Sequence, residues 1–149
     1  MSKIVLLLHK IARFLYLCKI PLIPMIIQTF IRIVFGCRVP YTAKIGKNTV
    51  FSCGGIGLTL HARSVIGENC RIGTCVSIVG SKKHIEVPKI GNNVWVGTGA
   101  RIIGPVTVGN NVMIGANAVV NKDVPDNTMV GGVPAKIIKE NINIDDYLE

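Results

Sequence analysis

Histidine is the side chain best suited to take up a proton near neutral pH, and this chain has three, His9, His61 and His84. They are unequally placed. His84 stands within SIVGSKKHIEVPKIG, residues 77–91, where aliphatic residues six apart (Ile66, Ile72, Ile78) break off and resume only at Ile90. A loop leaving a rigid scaffold is where a side chain reaches a substrate, so His84 is the candidate general base. The alternative is an exposed loop histidine. Glu86 either orients that imidazole or is surface charge. His61 follows Leu60 at a turn, as a structural histidine or as a second imidazole of the site. His9 lies in an apolar N-terminal stretch and reads as a packing residue.

The scaffold is a six-residue repeat. From Ile66 it runs IGENCR, IGTCVS, then the break, then IGNNVW, VGTGAR, IIGPVT, VGNNVM, IGANAV and VNKDVP. Ile45 and Phe51 keep the spacing upstream, and three extra residues around Gly54–Gly57 shift the phase before Leu60. Six residues make a short strand and a turn, with one branched aliphatic inward and a glycine relaxing the corner. Three units close a triangular coil, and four to five coils fit between residues 40 and 132. The prediction is a parallel β-solenoid; periodicity leaves its hand open.

Residues 1–38 are apolar with recurrent Lys and Arg and no acidic residue before Glu68. No uninterrupted apolar run reaches the ~20 residues of a spanning helix, and no secretory cleavage site is expected. Two helices, roughly 3–18 and 23–35, are predicted, split by Pro21 and Pro24. They pack on the domain or on a neighbouring subunit; peripheral contact with the inner membrane leaflet is the alternative. The divisions expected are 1–38 helical, 39–139 solenoid and 140–149 tail. The net charge of +9 suits an anionic partner, but few aromatics and no recognition motif argue against nucleic acid. Five cysteines without a CxxC pair fit a reducing cytosol, and Cys70 and Cys75 read as buried small hydrophobes.

The stretch PKIGNNVWVGTGARIIGPVTVGNNVMIGANAVVNKDVPDN and the ending GGVPAKIIK resemble the hexapeptide-repeat acyltransferases over residues 36–139. The whole chain is similar to their serine-acetyltransferase-like members from polysaccharide clusters. The resemblance implies a left-handed parallel β-helix, a homotrimer with sites between prisms, and acetyl-CoA as cosubstrate for O-acetylation. The acceptor would be a sugar hydroxyl of a surface polysaccharide, attacking directly with His84 as base and His61 and Glu86 as substrate contacts. Serine O-acetylation is the alternative, and a non-catalytic trimeric scaffold the alternative of another class.

The resemblance places the CoA slot at Thr98, Gly99, Ala116 and Asn121, with Lys136 and Lys139 where relatives carry phosphate-binding arginines. Amides near Gly97–Ala100 would be oxyanion donors. By the VSIVGS stretch the sugar acetyltransferase histidine aligns with Ser81, three residues before His84. The Asp-His of true serine acetyltransferases is replaced by Ser52 followed by Cys53 or Gly54. A zinc hydratase of this repeat class needs three histidine ligands; the solenoid holds two, so no metal is expected.

Overall fold

A computed structural model describes residues 2–20, 22–81 and 85–147. Two helices come first, α1 (Ser2–Leu17) and α2 (Leu22–Phe35), and they pack on each other. Pro24 does not split them. It is buried in the first turn of α2, where a missing N–H costs nothing. Gly36, at φ +61°, ends α2 and admits the chain to the solenoid.

The first coil is β1 (Lys44–Ile45), β2 (Val50–Phe51) and β3 (Thr59–Leu60). The second is β4 (Val65–Ile66), β5 (Arg71–Ile72) and β6 (Ser77–Val79); the third is β7 (Lys89–Ile90), β8 (Trp95–Val96) and β9 (Arg101–Ile103). The fourth is β10 (Thr107–Val108), β11 (Met113–Ile114) and β12 (Val119–Val120), followed by β13 (Thr128–Gly131) and β14 (Lys136–Glu140). Equivalent strands stack in register into three parallel sheets: β1-β4-β7-β10, β2-β5-β8-β11-β13, and β3-β6-β9-β12. The exception is β14, which returns antiparallel along β13 and covers that sheet edge.

The aliphatic beat is the core. Phe51, Leu60, Ile72, Ile78, Val96 and Ile102 are wholly buried. A second inward column, two residues ahead of each beat, contains Cys70, Val76, Val94, Ala100, Val112 and Ala118. That phase separates the two cysteines that the sequence treats alike. Cys70, two before Ile72, is buried; Cys75, three before Ile78, is exposed on the turn.

The glycines also serve a different purpose from the one expected. Gly46, Gly67 and Gly91 do not adopt positive φ, but a Cβ on Gly46 would lie 2.5 Å from the carbonyl oxygen of Gly67 in the next coil. Close coil-to-coil approach therefore selects glycine there. The left-handed turn position falls two residues later, on Asn48, Asn69, Asn93, Asn111 and Asn127 at φ 55–57°. Asparagine tolerates that conformation better than most residues. It also bonds up the stack, Asn93 Nδ2 donating to Asn111 Oδ1 at 3.0 Å and Asn111 Nδ2 to Asn127 Oδ1 at 2.9 Å.

Candidate active site

The third sheet, β3-β6-β9-β12, has a corner on either side, and His61, Thr98, Gly99, Ala116 and Asn121 fall on those two corners. On the corner leading from the third sheet back to the first, His61 follows β3. Its backbone N–H donates to Ile78 O at 2.8 Å, and its carbonyl accepts the Ser64 hydroxyl at 2.7 Å. Burial, Arg63 and Arg38 together hold its pKa below the ordinary value, so the ring is neutral at pH 7. Nδ1 accepts the Arg63 backbone N–H at 3.1 Å. The proton of the neutral ring must then sit on Nε2, which makes His61 a hydrogen-bond donor in this geometry and not a base.

One coil above His61 is Gly80, where a Cβ would lie 3.9 Å from His61 Nε2. The chain leaves the solenoid beside this imidazole and returns at Val87 and Pro88, both buried. His84, the predicted base, lies outside the described residues. Glu86 is exposed on the same loop. Arg63 joins loop to corner, its Nη2 donating to Ile85 O at 2.6 Å. Sequence reasoning passed over Arg63, because its partner is a backbone carbonyl 22 positions away that only the stacking of coils brings near.

The opposite corner carries Thr98, Gly99 and Ala116 of the predicted acyl-donor residues. Thr98 follows β8 and accepts a 3.4 Å hydrogen bond from the hydroxyl of Thr74, one coil below. Ala116 continues the column, sitting so close over Gly97 that a Cβ there would come within 2.6 Å of the Ala116 nitrogen. Thr74, Thr98 and Ala116 thus line one edge at the ~4.8 Å spacing of stacked strands. Thr74 is a further site residue that the sequence reading did not name.

Gly99 is accounted for by the fold: its φ is +73° and the Asn117 side chain fills the space a Cβ would need. The expected oxyanion donors are largely committed elsewhere. Gly97 N–H bonds Ile114 O, Gly99 N–H bonds Thr74 O, and Ala100 N–H bonds Gly97 O. Thr98 is the one residue of that stretch whose amide is not spent on these backbone bonds.

Asn121, on the same corner as His61 and three coils above it, is about 14 Å away by the strand spacing. It shares a groove of about 350 Å³ with Val130, Ala135, Lys136 and Ile137, so two residues expected at the CoA slot meet. Lys139 is turned elsewhere, its Nζ donating to the Tyr147 hydroxyl at 3.0 Å and lying 5.7 Å from that ring's centroid. The hydrogen bond to Tyr147 holds its pKa above the ordinary value. Cys53 is exposed at φ 48° in the turn Ser52–Gly55, where the three extra residues enter. Among the described residues no group of three or more His, Cys, Asp or Glu is placed to hold a metal ion.

The family described as "bacterial transferase hexapeptide (six repeats)" matches residues 88–122. The serine acetyltransferase of Synechococcus elongatus is 32% identical over 140 residues, 92% of this chain and 57% of that protein. The Brucella abortus serine acetyltransferase solved in complex with coenzyme A superposes with a TM-score of 0.87 at 31% identity, covering 91% of this chain and 54% of that one. Over about nine-tenths of its length the chain is similar to the hexapeptide-repeat acyltransferases. Its solenoid is their left-handed parallel β-helix. A further member, Neisseria gonorrhoeae serine acetyltransferase solved in complex with serine, matches with a TM-score of 0.85 at 32% identity, over 91% of this chain and 55% of that one. The chain spans 57% to 62% of the curated relatives it matches. These relatives are named for serine, not for the sugar hydroxyl expected from the sequence.

Proposed function

We propose that this chain is an acetyl-CoA-dependent O-acetyltransferase with L-serine as its acceptor. The observation that carries the reading is the likeness, over about nine-tenths of the chain, to serine acetyltransferases solved with coenzyme A and with serine. The pantetheine arm lies along the Thr74–Thr98–Ala116 edge, and Lys136 meets a phosphate as a point charge. The assembly is a homotrimer, which closes a groove over the third sheet. A reducing cytoplasm suits five unpaired thiols.

In the reaction the acceptor hydroxyl oxygen attacks the thioester carbonyl carbon while His84 removes its proton. The tetrahedral intermediate collapses with cleavage of the C–S bond, and the CoA thiolate takes up the proton as it leaves. His61, as a neutral Nε2–H donor, holds an acceptor oxygen. The Thr98 amide is the available donor to the developing oxyanion.

A second reading, transfer to a sugar hydroxyl, is favoured by one departure: Ser52 followed by Cys53 or Gly54 stands where serine acetyltransferases carry Asp-His. Incubation with acetyl-CoA and either serine or a panel of sugars and nucleotide sugars, followed by mass analysis, separates the two. An acetylated serine supports the first reading; acetylation of a sugar alone supports the second. No acetylated product, with no heat on titrating CoA, leaves a non-catalytic scaffold.

A further inference from the structure

The two helices carry large apolar side chains on their outward as well as their inward sides. Their inner sides pack on each other and, from α1, on the first coil. Their outer sides expose Leu7, Phe14, Leu22, Ile26, Phe30 and Ile33, the last at 76%. Singly scattered apolar residues are normal on a soluble surface; this concentration on two adjacent helices marks a docking face. Neither described helix is long and apolar enough to cross a bilayer.

The charges decide what docks there. Lys3, Lys10, Lys19 and Arg32 are exposed on or between the helices, and no acidic residue occurs before Glu68. Arg13 is excluded from this set, because its guanidinium is spent on the carbonyls of Tyr41, Thr42 and Ala43. A second copy of this face would meet it with cations on both sides and no helical carboxylate to pair them. An anionic surface neutralises all four. Beside them an apolar groove of about 660 Å³ runs between α1 and the first coil, lined by Leu6, Leu7 and Val50 and flanked by Lys3 and Lys10. An apolar trough between two ammonium groups matches one acyl chain and a phosphodiester headgroup.

We propose that α1 and α2 form a membrane-surface docking face whose partner is a bilayer rich in anionic phospholipid. The helices lie in the interfacial plane, their apolar sides among the acyl chains and their lysines at the phosphates. The proposal is independent of which hydroxyl the enzyme acetylates.

The test is flotation of the full chain with vesicles of phosphatidylcholine alone or of phosphatidylcholine with phosphatidylglycerol. Binding only to the second, weakened between about 0.1 M and about 0.5 M salt, is the result expected. Lys3→Glu and Lys10→Glu should each lower the partition coefficient by roughly fivefold or more. Phe30→Gln with Ile33→Gln should abolish flotation while leaving a cooperative thermal unfolding transition, since Ile33 faces solvent and Phe30, half exposed, gives up an edge contact with Phe35. The proposal is overturned by failure to float with either vesicle, or by flotation indifferent to phosphatidylglycerol. Equilibrium sedimentation overturns it too, if the lipid-free chain forms an assembly larger than a trimer that Phe30→Gln with Ile33→Gln disperses. That last outcome would assign the face to a second copy of the chain.

Discussion

Nδ1 of His61 receives a backbone N–H. A ring so held offers a proton and does not take one, and in the proposed reaction the base is His84. Replacing His84 with Ala should lower kcat by about 100-fold or more with little change in the KM for acetyl-CoA, as measured by steady-state thiol release. Arg63 acts through others. Its guanidinium holds Ile85 O, whereas its backbone N–H orients His61, so Arg63→Ala frees the loop and keeps the bond to His61 Nδ1, while loss of the nearby positive charge lets the His61 pKa rise. Its kcat should fall about tenfold with unchanged KM for acetyl-CoA, and Arg63→Lys should recover only part, because the ammonium is not a planar fork. Loss of acetyl-CoA affinity instead would assign Arg63 to the cosubstrate. At this scale the sequence named His61, Thr98, Asn121 and Lys136 through residue type and motif. It passed over Arg63 and Thr74, whose partners lie one coil away in space and more than twenty residues away in the chain.

The hexapeptide unit carries the fold because every coil repeats the same burial. Ile102 is wholly buried between Ile78 and Val120 in the third-sheet column. Ile102→Ala should therefore cost about 3 kcal/mol of unfolding free energy, read from denaturant midpoints. Arg101→Ala beside it, an outward-facing exposed position, should cost well under half of that. The period, a count of four to five coils and the interruption between Ile78 and Ile90 were all readable from spacing. Two features were not. The second buried column is masked in sequence by its mixture of Cys, Val, Ala, Ser and Thr. The left-handed turn falls on Asn two residues after the conspicuous glycine, because coil-to-coil contact and backbone handedness are separate demands met at separate positions.

Across the whole molecule, the helices are fastened to the solenoid by a group that titrates. His9, 2% exposed, donates from Nε2 to Pro40 O at 3.1 Å. Burial lowers its pKa below 6.5, and the nearby Arg13 and Lys10 add to the effect. The folded state therefore binds this proton less readily than the unfolded chain, so stability from this site is full above about pH 6.5 and declines as pH falls through the lower, folded-state pKa. Denaturant titrations between pH 7.5 and about 5 should show that decline, and His9→Gln should flatten it; an unchanged slope would remove His9 from the account. The basic, apolar character of the N-terminal third was visible in composition. Its arrangement as two packed helices with apolar residues left on an outer side needed the tertiary structure, since spacing alone does not say which apolar residues face inward.

Release of free thiol from acetyl-CoA, followed continuously as serine is added, tests the central claim most directly. The account predicts thiol release that saturates with serine, requires serine, and is abolished by His84→Ala. Release driven by a sugar and not by serine, or by no acceptor at all, would contradict it.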